Sequence, residues 1–254
     1  MWVEKCLCTD IGKYSVACLF LCSCVGLRHF PLNVVLASIH TRSSEGNPFP
    51  TSHFTNAYEF DTPTAPTSWS TPYFATRIKT ETDNAGIDGC GIIAHSQGGL
   101  ASLHLYAKKW SCLDYSLVSG RMIQSVGSPY QGTPLAGNLA ALGKVFDVGC
   151  GYNDSLTISG ADTWLATIPN WARAQVTYHT TSFEDGFWYD YCHLGTDAIL
   201  NDPDDGIVEY ARAQLPGGNN AGHKEGWCHN DGMRDPKQTN DSARNSIMNS
   251  YAQY

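Results

Sequence analysis

The clearest hydrophobic pattern in the chain is GIIAHSQGGLASLHLY, residues 91–106. Residues 91–94 are small or apolar, as in a short buried strand, whereas Leu100, Leu103 and Ala107 recur at the spacing of a helix face. Between them stand His95, Ser96, Gln97 and a glycine pair, so the pattern predicts strand, sharp turn and helix in direct succession. Upstream, Pro72 suits the first turn of a helix in which Phe74, Ile78 and Ala85 share one side and Gly86 is the stop. Residues 122–126, followed by Gly127-Ser128-Pro129, and residues 175–181 are further strand candidates; residues 33–39 are the best apolar strand near the N-terminus. Strands alternating with helices or long loops predict an α/β fold whose mostly parallel central sheet is covered by helices on both faces. Residues 135–174, with Phe146, Trp164 and Trp171, are long enough to make an excursion over the sheet's edge, where they pack the core or roof a pocket.

Two segments fall outside this alternation. Residues 41–71 are rich in Ser, Thr, Pro and Asn and read as loop. Residues 14–27 are apolar but too short for an ordinary membrane span. They fit the core of a secretory signal, although Glu4 and Asp10 spoil the positive leading region, and a buried strand is the alternative. The expected division is a signal-like or atypical N-terminal segment at 1–45 and one domain at 46–254.

Composition narrows the function more than the fold. With 254 residues, 42% hydrophobic and 16% charged, the chain has the make-up of a globular protein with one buried core. A net charge of −8, with no basic cluster beyond Lys108-Lys109, disfavours nucleic acid as a partner and suits a neutral substrate. Of ten Cys, those at 90, 112, 150, 192 and 228 are dispersed through the body, and no CxxC pair supports a zinc site. Dispersed cysteines fit disulfides in an oxidising compartment, with Cys90–Cys112 and Cys192–Cys228 as guessed pairs and buried thiols as the alternative.

The strand-turn-helix at Ser96 carries the chemistry. At the apex of so tight a turn, a serine is forced into the unfavourable φ > 0 region, and Ala94, Gly98 and Gly99 leave room for the chain to fold back. The hydroxyl is lifted above the sheet, and the helix start aims its N–H groups and partial positive charge at the same point. The backbone N–H of Gln97 is thus placed to stabilise an oxyanion. A serine needs a base, and the base a carboxylate. Downstream, Asp205 before Gly206 is the chosen acid, ahead of Asp204 and Asp202; His229 is the chosen base over His223, and His193 precedes the acid. His95 reads as a residue facing the sheet's underside, His104 as helix surface and His179 as an ordinary strand residue.

The stretch Ala94-His95-Ser96-Gln97-Gly98-Gly99 resembles the nucleophile turn of the α/β-hydrolase superfamily, in its bacterial lipase and esterase branch. Gly127-Ser128-Pro129-Tyr130-Gln131-Gly132-Thr133-Pro134 is similar to the segment after the next strand in those lipases. Asp205-Gly206-Ile207-Val208 resembles their acid turn, and His229-Asn230-Asp231-Gly232-Met233 their histidine loop. The resemblance implies a serine ester hydrolase with Ser96, Asp205 and His229 as its triad and no required cofactor. One departure stands upstream: the strand at 33–39 runs into His40-Thr41 without the His-Gly that supplies a second oxyanion donor, so either Thr41 or a neighbour gives that donor or the first 45 or so residues are not native to the domain. Losing one such donor costs about 3 kcal/mol of transition-state stabilisation.

Three classes of function follow: a secreted hydrolase of neutral acyl esters, lipids among them, at a transient lipid–water interface; a catalytically weak or silent hydrolase-fold binding protein; or an acyltransferase. Calcium beside Asp202, Asp204, Asp205 and Asp231 fails the EF-hand spacing, and a solvated acidic loop is the plainer reading. Asn153 and Asn240 begin glycosylation sequons.

Overall fold

A computed structural model describes residues 70–84, 91–109, 123–137, 154–183, 196 and 199–229, together with the backbone of three strands nearer the N-terminus. Those strands are β1 (Ser15–Cys22), β2 (Asn33–His40) and β3 (Asn56–Ala57). There follow α1 (Thr71–Asn84), β4 (Gly91–His95), α2 (Gln97–Lys108) and β5 (Ile123–Val126). The chain continues through α3 (Ile158–Ala166), α4 (Asn170–Arg173), β6 (Val176–Ser182) and β7 (Asn219–Glu225). The sheet order is β3-β2-β1-β4-β5-β6-β7, with β2 also paired to β4. Strands β2, β4, β5, β6 and β7 run parallel to their partners in these pairings, and β1 is antiparallel to both β2 and β4.

Helix α2 is the hub. Its Leu100, Ala101, Leu103 and Leu105 are buried, and it packs against β2, β4 and β5 on one side and α1 on another. The partner face of α1 presents Phe74, Ala75 and Ile78, also buried. At about 25 cal/mol per Å² of apolar area removed from water, each fully buried leucine contributes roughly 1.5–3 kcal/mol before entropy opposes it. On the exposed face of α1, Arg77–Glu81 and Lys79–Asp83 make four-residue ion pairs, each worth a few tenths of a kcal/mol.

Of the 135–174 excursion, the described helices α3 and α4 pack onto α2. Trp164 of α3 is buried and its indole Nε1–H donates to His104 Nδ1 at 3.1 Å. Trp171 of α4 stands edge-on to Tyr106 of α2, its ring centroid 5.2 Å away. His104 is therefore a half-buried acceptor under α3 rather than a helix-surface residue. Desolvation, followed by the fields of Lys109 and Lys108, holds its pKa down to about 4. Phe146 lies outside the described residues.

β7 was not marked by any hydrophobic alternation. Its sequence, NNAGHKE, is polar, and it forms as the last strand of the sheet because its backbone pairs with β6. Side-chain bonds reinforce that pairing: His223 Nδ1 meets Thr180 Oγ1 at 3.0 Å and His223 Nε2 meets Ser182 Oγ at 2.9 Å. All seven residues of β6 are buried although four are Thr or Ser, and the hydroxyls of Thr180, Thr181 and Ser182 have partners on neighbouring elements. Among the described residues, no helix is long and apolar enough to cross a membrane.

Candidate active site

Three loops at the carboxyl ends of parallel strands of one sheet build the site, the position where open α/β sheets bind ligands. The first follows β4. Ser96 has φ 54° and ψ −136°, and no other non-glycine residue among those described has positive φ. Such a conformation costs on the order of 1–3 kcal/mol and persists only where the surroundings enforce it. Two restraints are visible: Ser96 N–H donates to Val126 O of β5 at 3.2 Å, and Gly99 N–H returns to Ser96 O at 3.1 Å.

Gly99 has a second reason to lack a side chain. A Cβ there would overlap the Ser128 hydroxyl, and would lie 2.8 Å from Ser128 Cβ and 2.9 Å from Tyr130 Oη. The loop after β5 thus presses directly on the first turn of α2. Tyr130, fully buried, bonds Ser125 Oγ at 2.7 Å, and burial pushes its phenol well above its ordinary pKa. The Gly-Ser-Pro-Tyr stretch is a wedge that fixes the helix start.

The second loop follows β6 and carries the acid. Asp205 is fully buried. Its Oδ1 accepts Ile207 N–H at 3.1 Å and Val208 N–H at 2.8 Å, and its Oδ2 accepts Thr181 Oγ1–H at 2.8 Å. Gly206, at φ 88°, makes the turn that directs those amides back. Asp204 spends Oδ1 on Gly206 N–H at 2.7 Å, and Asp202 is exposed, so neither rival carboxylate occupies this place.

The third loop follows β7. Trp227 N–H donates to Ser182 O and His229 N–H to Asp205 O, both at 2.8 Å, tying the loop to the end of β6 and to the acid turn. Cys228 is disulfide-bonded, and its partner lies outside the described residues, as do Cys90, Cys112, Cys192 and His193. His229 Nδ1 is 3.1 Å from Asp205 Oδ2, and His229 Nε2 is 2.9 Å from Ser96 Oγ. Because a carboxylate only accepts, Nδ1 carries the proton and Nε2 is left to accept from the serine hydroxyl. His223 lies instead on β7, both ring nitrogens engaged with β6, and desolvation lowers its pKa.

Two participants were not legible in the sequence. Thr181 shares Asp205 Oδ2 with His229, and no local signal distinguishes it from other strand threonines. His95, expected on the underside of the sheet, instead places its ring 4.6 Å from the His229 ring, centroid to centroid, at 45°. Gln97 opens α2, and its side chain donates to Thr71 Oγ1 at 3.3 Å, linking the turn to the start of α1. Thr41 lies outside the described residues, but Ser38 of β2 is in register with His95, so β2 ends beside the turn. Among the described residues no cluster of three His, Cys, Asp or Glu is arranged to hold a metal; Asp231 lies outside them.

The sheet order and the placement of these loops define an α/β-hydrolase fold. The same fold is found in the lipase BlEst2 of Bacillus licheniformis: its mature form matches with a TM-score of 0.51 at 18% identity, over 71% of this chain and 72% of that one. The propeptide form matches with a TM-score of 0.50 at 19% identity, over 72% of this chain and 40% of that one. In sequence, the chain belongs to the conditioned medium factor C-terminal domain family, which it matches over residues 32–252. It is 46% identical over 164 residues to the Conditioned medium factor of Dictyostelium discoideum, a match that covers 64% of this chain and 24% of that protein.

Proposed function

We propose that this chain is a serine ester hydrolase of lipase or carboxylesterase type, cleaving neutral acyl esters through an acyl-enzyme on Ser96. One observation carries the reading: the strained Ser96 hydroxyl, His229 and buried Asp205 form a single hydrogen-bonded relay, with contacts of 2.9 and 3.1 Å. Ser96 Oγ attacks the ester carbonyl while His229 Nε2 takes its proton, and Asp205 stabilises the imidazolium. Collapse of the tetrahedral intermediate expels the alcohol, which receives that proton. Gln97 N–H, first in α2 and backed by the helix dipole, is one oxyanion donor, and Thr41, just past β2, is the assigned second.

Neutral lipids are the favoured substrates, met at a lipid–water interface, since net charge is −8 and nothing in the chain selects a polyanion. Secretion is supported by the disulfide at Cys228 and by a relative named for conditioned medium. No cofactor enters this scheme.

A second reading has its own support: the related family is named as a factor, and no His-Gly follows β2. On that reading the fold binds and does not turn over. A fluorophosphonate probe separates them. The hydrolase is labelled, loses the label in Ser96→Ala, and releases p-nitrophenol from p-nitrophenyl esters with a chain-length preference. An unlabelled wild type would favour the binding protein.

A further inference from the structure

His95 is the last residue of β4, directly before the nucleophile, and it is 3% exposed. Its ring packs against that of His229, the centroids 4.6 Å apart and the planes tilted by 45°. In the strand register, Val126 of β5 is its neighbour and His179 of β6 lies beyond. His229 itself is 1% exposed and has two polar anchors, Ser96 Oγ and Asp205 Oδ2.

The Ser96 anchor does not last through the reaction. Once Ser96 Oγ is esterified it has no proton to donate, so among the described residues the His229 ring keeps Asp205 and the ring of His95. The ring must then take a proton from water. Water oxygen bonds to the acyl carbon, its proton passes to His229 Nε2, and the C–Oγ bond breaks as that proton returns to Ser96 Oγ, releasing the carboxylic acid. A ring free to swing about its bond to Asp205 presents Nε2 to that water less often.

We propose that His95 is a positioning residue that holds the His229 imidazole during deacylation, when the acylated serine no longer does. The proposal rests on the hydrolase reading. His95 touches no reacting atom in this role.

Burst kinetics with p-nitrophenyl acetate test it, the burst reporting acylation and the steady state deacylation. In His95→Ala the steady-state rate falls by about tenfold or more and acylation by less than about threefold, the scale of a misplaced catalytic group. Apparent KM falls with kcat, because the acyl-enzyme accumulates. His95→Phe, which restores a planar face, recovers deacylation. Equal slowing of both steps, no slowing, or no recovery with Phe would overturn the role. If His95→Ala does not fold, His95→Leu, which fills the space without a planar face, is read by the same criteria. A readout without turnover separates this proposal from the one it rests on. In Ser96→Ala, which lacks the serine anchor as the acyl-enzyme does, the hydrogen-bonded Nδ1 proton of His229 seen by NMR weakens when His95→Ala is added and persists when His95→Phe is added. Fluorophosphonate labelling that fails in the wild type sinks the hydrolase; an Nδ1 resonance unchanged when His95→Ala is added to Ser96→Ala sinks the positioning role.

Discussion

Thr181 Oγ1 donates to the same oxygen of Asp205, Oδ2, that faces His229 Nδ1, across 2.8 Å and within the buried end of β6. The acid is thereby oriented from one side by a strand hydroxyl and from the other by two amides of its own turn. Thr181→Val keeps the shape of the side chain and removes the donor. Stability is expected to fall by about 1–3 kcal/mol, since a hydrogen bond to a charged buried group is lost. Chemical denaturation measures it, and an unchanged midpoint and slope would show that Asp205 is held without the threonine.

Asp205→Asn keeps the turn's geometry but offers an amide to His229 Nδ1 and so favours the wrong tautomer. Hydrolysis of p-nitrophenyl esters is expected to drop by about 10⁴-fold, as when a triad aspartate becomes asparagine. Steady-state assays decide this, and activity near wild type would remove Asp205 from the relay.

The two late histidines separate by role. His229→Gln is expected to abolish hydrolysis, whereas His223→Gln leaves kcat within about threefold and loosens the β6–β7 pairing, at a cost near 1 kcal/mol per bond lost. Parallel assays and thermal melts distinguish them. A His223 variant with intact fold and no activity would reverse the assignment.

Gly99→Ala tests the wedge of Ser128 and Tyr130 against α2. The added methyl has nowhere to go unless the loop after β5 or the helix start moves, so destabilisation of about 1–3 kcal/mol is expected, as for other overpacked sites. Because that shift displaces Ser96 as well, labelling by a fluorophosphonate should slow. A variant as stable and as reactive as the wild type would mean that the contact is loose.

His104 makes stability depend on pH. Its ordinary pKa of 6.5 falls to about 4 in the fold, where Trp164 donates to its Nδ1. Between those values the unfolded chain binds a proton that the folded chain refuses, so acidification favours unfolding. Stability is expected to decline as pH falls from 6.5 towards 4, with the loss complete below 4, and His104→Gln should flatten that part of the curve. Melting temperatures across this range give the slope.

The strand-turn-helix at Ser96 was legible locally because its demands are local: a tight reversal needs small neighbours, and the 3.6-residue spacing of Leu100 and Leu103 is visible in any window of that length. Asp205 and His229 were legible as stretches resembling an acid turn and a histidine loop. The polar strand β7 was not, since its only claim to be a strand is the backbone pairing offered by β6. The threonines and serine of β6 likewise looked ordinary, because what distinguishes them is the partner each meets.

By itself, then, the sequence determined the alternating α/β plan and singled out Ser96, Asp205 and His229 along the chain. Only the tertiary structure decided which histidine meets Ser96, that His95 faces it from beside the nucleophile, and that Thr181 steadies the acid. The reason is physical. Local pattern records what each segment buries, but a hydrogen bond between residues 133 positions apart depends on how parallel strands align their carboxyl ends, and no window of sequence contains that alignment.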